Sequence, residues 1–228
     1  MLPGTFIKGG TELLAAPLTQ IINISIITST FPDSCKITNL WELFKKGSKT
    51  DPKNYRPISL LPLLSTTFER VVHLQTEQFI NENNILYKKQ PGPLHSTQSC
   101  LPHLIIMGGC DNVCHTGMIL IDLQKAFDTI NHYLLLEKLS LMNFSNTTIC
   151  WFKSYLLNIT LLVNFESSFS EPADLKCGMT QGSILGPLLF LLYKNDSPQA
   201  VNDCDIRLYA DDTCISYKHK IVNQLKVN

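Results

Sequence analysis

Arginine is scarce in this 228-residue sequence: only Arg56, Arg70 and Arg207 carry a guanidinium. Charge of both signs is low, at 17% of residues, and 19 basic side chains face 19 acidic ones. A net charge of zero removes any argument from overall basicity for a nucleic-acid partner. Long hydrophobic runs are also missing. The longest apolar stretches, such as 184–193, fall well short of the ~20 residues that cross a bilayer, so no membrane partner is expected. The N-terminus shows no basic start, apolar block and small-residue cleavage site in that order. The expectation is an intracellular protein, in nucleus or cytoplasm, and not a secreted one. No repeat or low-complexity tract is present.

Eight cysteines form no pair of Cys-x-x-Cys knuckles. Without a leader they predict reduced, partly buried thiols rather than a disulfide framework. Cys110, Cys114 and His115 have the spacing of half a zinc site, but no second half accompanies them. Triplets such as Asn158-Ile159-Thr160 carry no glycosylation meaning without secretion.

What is present is apolar: 44% of residues are hydrophobic, enough for a sizeable core in one domain of ordinary size or one and a half. Residues 11–31 read as a helix in their first part. Residues 45–57 read as a polar, basic, turn-rich loop in which Lys45, Lys46, Lys49, Lys53 and Arg56 face only Asp51. That cluster is either a solvated loop or a phosphate-binding patch. A helix is predicted over 66–83 from the spacing of Phe68, Val71, Val72 and Phe79. Gln90-Pro91-Gly92-Pro93 interrupts regular structure. Residues 118–123 read as a buried strand carrying one carboxylate. Helices follow over 132–142 and 148–157, and two strands over 161–177. Residues 178–186 form a glycine-rich turn before an apolar segment over 187–193. Residues 206–209 and 213–217 flank an acidic turn, as in a β-hairpin.

Three aspartates stand out: Asp122 at the end of an apolar strand, and Asp211-Asp212 between two more. Carboxylates buried there without partners are costly. Magnesium resolves the cost, because it takes oxygen ligands and is commonly held by one or two carboxylates plus substrate phosphates. Two such ions about 3.5–4 Å apart serve phosphoryl transfer. An exposed hairpin turn and a strand end near water account for the same three residues, and a magnesium-dependent phosphohydrolase uses the same donors.

The surroundings carry more. Asp122-Leu123-Gln124-Lys125-Ala126-Phe127-Asp128, then Gly178-Met179-Thr180-Gln181-Gly182-Ser183-Ile184-Leu185-Gly186-Pro187, then Tyr209-Ala210-Asp211-Asp212 resemble the three core palm motifs of reverse transcriptases. The variants resemble those of non-LTR (LINE-type) retrotransposon enzymes. Phe44-Lys45-Lys46-Gly47 and Asn54-Tyr55-Arg56-Pro57-Ile58-Ser59-Leu60 are similar to that family's fingers, and Trp151-Phe152-Lys153-Ser154-Tyr155-Leu156 and Tyr193-Lys194-Asn195-Asp196 to its palm.

The resemblance implies an α+β right-hand polymerase fold, with partial fingers over 1–115 and partial palm over 116–228. It implies RNA-directed DNA polymerase chemistry, with an RNA template, a DNA primer and a deoxynucleoside triphosphate as partners. It implies two Mg2+ ions (Mn2+ being an alternative) on Asp122, Asp211, Asp212 and the Leu123 carbonyl, and no obligate protein partner. Phe127 would be the gate against a 2′-hydroxyl; otherwise it is a core aromatic. Gln181 and Gly182 would lie against nucleotide and template; otherwise they form an ordinary turn. Arg56 would contact template or triphosphate oxygens; otherwise it makes a surface ion pair.

The sequence departs from the pattern in places. Gln90-Pro91-Gly92-Pro93-Leu94-His95-Ser96-Thr97 stands where the family usually has Gln-x-Gly-Phe-Arg, a short spacer and His-Ser-Thr. Thr180 replaces a proline. The end of the chain soon after Asp212 leads to the expectation of no thumb, and none of an endonuclease domain. A retroelement fragment is therefore expected, either a working domain or a degenerate, inactive product with weak RNA binding.

Overall fold

The computed structural model describes residues 11–51, 54–88, 90, 115–123, 125–165, 168–201, 204–209 and 211–219. The Pro91–Thr97 departure, the Cys110/Cys114 pair, Gln124 and Ala210 lie outside the described residues, as does the side chain of His115.

Two sheets organise the chain. One is antiparallel, in the order β3 (His115–Asp122), β8 (Asp212–His219), β7 (Asp205–Tyr209). The other is built on β1 (Ile37–Phe44), which pairs antiparallel with β2 (Tyr55–Leu60) and parallel with β4 (Thr160–Phe165). The short strands β5 (Ser168–Phe169) and β6 (Ala173–Asp174) complete it against β4. This second sheet therefore takes strands from both sides of residue 115.

Among the described residues there are five α-helices: α1 (Thr11–Ile27), α2 (Leu63–Glu82), α3 (His132–Leu141), α4 (Asn146–Leu156) and α5 (Leu185–Lys194). None is long and apolar enough to cross a membrane. Helix α3 starts where the Asn131 side chain accepts from the Leu134 amide at 3.1 Å. Helix α4 starts where the Ser145 hydroxyl accepts from the Thr148 amide at 3.2 Å. Both use a short polar side chain to satisfy an amide that has no intrahelical partner. Helix α5 is apolar on nearly every side, and eight of its ten residues are buried. Such a helix belongs in the centre of a domain, and α2 and α3 both pack against it.

An aromatic cluster ties the N-terminal segment to the rest. The Phe31 ring meets Phe68 of α2 and Trp151 and Tyr155 of α4 edge-on, at centroid distances of 5.7, 5.5 and 5.1 Å. The Trp151 indole donates to the Ser25 hydroxyl at 3.0 Å, and that hydroxyl donates to the Thr30 carbonyl at 2.6 Å. A buried indole N–H without such a partner would cost stability.

The sequence reading needs three corrections of detail. The basic stretch 45–57 is not loop throughout, since β2 begins at Tyr55 and contains Pro57. Strand β2 lies at the sheet edge, where the amide missing from proline costs no ladder bond. Residues 161–177 form one strand and two short ones. Met118 to Ile121 of β3, expected in a buried strand, are exposed. Strand β1, with charged and polar residues among its apolar ones, gave no clear period-two pattern. Of the described cysteines, Cys35 and Cys214 are buried, Cys204 is half-buried and Cys150 and Cys177 are exposed, and all five are free thiols.

Phe68 is fully buried beneath this cluster. Phe68→Ala is expected to cost about 3–5 kcal/mol, read as a lower denaturant midpoint at unchanged slope.

Candidate active site

The site is assembled at one end of the β3-β8-β7 sheet. Asp122, the last residue of β3, lies directly opposite Asp212, the first residue of β8. Opposed residues of an antiparallel pair put their side chains on the same face, about 5 Å apart at Cβ. Asp211 immediately precedes β8 and Tyr209 pairs with Asp212 from the other side. Asp212 thus opens a strand, where the sequence reading had placed it in the turn. Asp122 and Asp212 are exposed and Asp211 is half-buried. Leu123 follows directly and is also exposed.

A 3-10 turn over Ala126–Thr129 comes next, and the glycine-rich turn is stitched onto it. The Gly178 amide donates to the Ile130 carbonyl at 2.8 Å and the Met179 amide to the Phe127 carbonyl at 2.9 Å. The Gln181 side-chain amide donates to the Asp128 carboxylate at 3.3 Å. Gly178 has φ +82°, and a Cβ there would fall 2.6 Å from the Asp128 backbone, so only glycine fits. Buried His132 holds the Gly178 carbonyl through Nε2 at 2.6 Å. On its other side the turn meets β2, where the Ser59 amide donates to the Gln181 carbonyl at 2.9 Å. Gly182, at φ +108°, leaves room for the Ser59 carbonyl. A cleft of about 220 Å³ lies between, lined by Leu40, Pro57, Ser59, Asp128, Met179 and Gln181 among others.

The sequence-predicted residues thus separate into groups. Asp122, Asp211, Asp212 and Leu123 gather at the sheet end. Phe127, Gln181 and Gly182 belong to the stitched turns beside it. Phe127 is half-buried, its ring 4.7 Å from that of Phe190, so part of the ring packs on the core and part remains accessible. Arg56 is exposed and pairs with Leu43 across the hairpin. Strand alternation puts it on the face opposite to Pro57 and Ser59, away from the cleft.

Three residues to which the sequence reading gave no role of their own support these turns. Glu69 is fully buried on α2, and its carboxylate accepts from the Ile184 and Leu185 amides at 2.5 and 3.3 Å. It caps α5 together with the Ser183 hydroxyl, which accepts from the Gly186 amide at 2.9 Å, and a negative charge suits the positive end of that helix. The buried Tyr155 hydroxyl meets Glu69, Ser183 and Thr180. Burial pushes the Glu69 carboxyl up against the lowering effect of its two amide donors. Burial, with repulsion from Glu69, pushes the Tyr155 hydroxyl well above its ordinary range. The third is Lys194, the last residue of α5. Its Nζ donates to the carbonyls of Asp211 and Asp212 at 3.2 and 3.4 Å. Burial lowers its pKa, while the two aspartates act to raise it. A carboxylate on the apolar face of α2 and an ammonium closing an apolar run were the available signals.

The donor set suits a hard divalent cation. Among the described residues, no three His, Cys, Asp or Glu side chains come together closely enough to hold a metal ion by themselves. Two facing carboxylates are nevertheless the number that magnesium takes when substrate phosphates supply the rest.

Comparison with known proteins decides the family. Residues 44–226 match the model of the family described as reverse transcriptase (RNA-dependent DNA polymerase). The chain belongs to the reverse transcriptase family. It is 30% identical over 237 residues to the "Probable RNA-directed DNA polymerase from transposon X-element" of Drosophila melanogaster, covering 96% of this chain and 26% of that protein. It is 31% identical over 240 residues to the corresponding protein of transposon BS from the same organism, covering 97% and 26%. The polymerase of its mobile element jockey is 29% identical, over 90% of this chain and 24% of that protein. The chain thus spans about a quarter of these relatives, and it is a reverse transcriptase domain of the non-LTR retrotransposon type. In fold it is similar to apo telomerase from Candida tropicalis, with a TM-score of 0.56 at 13% identity, covering 86% of this chain and 46% of that one. The α+β fingers-and-palm expectation therefore holds.

The upward shift of Glu69 gives a testable pH dependence. As pH rises through the ordinary glutamate range, the unfolded chain releases this proton before the folded one. Folded stability then falls until the buried carboxyl also ionises. Glu69→Gln, which cannot ionise, should lack this fall, so denaturant melts of the two proteins between acid and neutral pH should diverge.

Proposed function

We propose that this domain carries the nucleotidyl-transfer site of an RNA-directed DNA polymerase. The observation that carries the reading is the pairing of Asp122 with Asp212 across β3 and β8, with Asp211 adjoining. In the reaction the primer 3′-hydroxyl oxygen bonds to the α-phosphorus of a deoxynucleoside triphosphate. The bond from that phosphorus to the bridging oxygen breaks, and pyrophosphate leaves. Asp122, Asp211 and Asp212, with the Leu123 carbonyl, would hold two Mg2+ ions, for which Mn2+ can substitute. When bound, these ions supply charge neutralisation and polarisation of the reacting oxygens.

The remaining residues position the substrates. The accessible part of Phe127 closes the space beside the sugar, and its Phe190 contact stops the ring from moving aside. That rigidity is what a gate against a 2′-hydroxyl requires. Gln181 and Gly182 form the floor for the base pair, fixed by Asp128 on one side and Ser59 on the other. Arg56, with Lys45, Lys46 and Lys49 at the β1–β2 hairpin, faces template phosphate oxygens. Phosphate contacts of this kind set register and orientation without reading sequence.

Primer extension on an RNA template with Mg2+ tests the reading. Asp122→Asn and Asp212→Asn should each reduce extension by at least about a hundredfold, with an unchanged melting curve. Extension that survives both substitutions refutes the site. Phe127→Val should raise the ratio of ribonucleotide to deoxyribonucleotide incorporation, and an unaltered ratio refutes the gate.

A further inference from the structure

The acidic sheet end has a cation of its own. Lys194 is buried, only 7% exposed, yet it ends an otherwise apolar helix. Three negative features converge on it. The carbonyls of Asp211 and Asp212 lie at 3.2 and 3.4 Å from Nζ. The carboxylates of the same two residues attract it. The C-terminal end of α5, where it resides, carries the negative pole of the helix. Its ammonium also lies 5.8 Å from the centre of the Phe190 ring, the ring that backs Phe127. An ammonium so placed offsets carboxylate charge when no other cation is near. A divalent ion held by the same carboxylates meets its repulsion.

We propose that Lys194 is an internal counter-ion that sets the divalent-metal affinity of the Asp211-Asp212 end of the sheet, holding it weaker than the carboxylates alone would make it. The inference deepens the functional reading above and rests on it. It differs from a purely structural tie, in which Lys194 only anchors the turn through the two carbonyls. A tie predicts that losing the lysine loosens the turn and weakens metal binding. A counter-ion predicts the opposite sign.

Mn2+ titration of the full chain without nucleotide, followed by the paramagnetic resonance of the free ion, separates them. Lys194→Met should bind Mn2+ about tenfold more tightly than wild type, and Lys194→Arg, which keeps the charge, should bind as wild type does. Equal or weaker binding by a folded Lys194→Met overturns the proposal. If that variant melts without cooperativity, Lys194→Gln, which keeps a donor to the carbonyls, takes its place under the same criteria. Asp122→Asn and Asp212→Asn controls keep the two claims apart. Wild-type binding that both leave unaltered refutes the metal site itself. Binding lost in these controls but unimproved in Lys194→Met refutes only the role of the lysine.

Discussion

The register between β3 and β8 is the constraint on which the site depends. Side chains alternate along a strand, so a slip of one residue would carry Asp122 to the other face of the sheet and away from Asp212. The register runs unbroken from His115 opposite His219 to Asp122 opposite Asp212. Strand β8 is also held by β7, where Ile206 and Leu208 point into buried space. Packing beneath β7 thus fixes β8, and β8 in turn fixes where Asp122 comes to rest.

A second constraint acts through the core. The glycine-rich turn has few side chains with which to hold itself, and Gly178 and Gly182 adopt conformations that other residues avoid. Its shape is imposed from three directions: by the carbonyls of Phe127 and Ile130, by β2 at Ser59, and by Glu69 at the start of α5. The buried carboxylate costs desolvation, which its raised pKa records. Two amide donors and the Tyr155 hydroxyl offset that cost. In exchange the helix start, and hence the end of the turn, is fixed to α2 rather than left to local preference.

Much of this was legible in the residues. Asp122 closing an apolar run, the Asp211-Asp212 pair between β-prone segments and the glycines before α5 were each weak signals alone. Their order and spacing made them strong together. The helices were readable because Phe68, Val71, Val72 and Phe79 repeat at helical spacing. The parallel pairing of β1 with β4 was not readable, because it joins segments more than a hundred residues apart and leaves no local pattern. The roles of Glu69 and Lys194 were not readable for a related reason. A charged side chain looks solvent-seeking in sequence, and only its partners across the fold, Ile184 and Leu185 for one and Asp211 and Asp212 for the other, reveal an interior role. Arg56 was singled out from its motif context, and strand alternation puts it on the face of β2 opposite to Ser59.

The β1–β4 pairing bears on how the protein is made. Strand β1 is complete once Phe44 has left the ribosome, but its parallel neighbour ends only at Phe165. At synthesis rates of about 5–20 residues per second, the early hairpin waits on the order of ten seconds with one side unsatisfied. During that interval Trp41, Leu43, Ile58 and Leu60, which remain exposed even in the finished fold, are held beside an open strand edge. The open edge of this hairpin is then a site for nascent-chain association until β4 arrives.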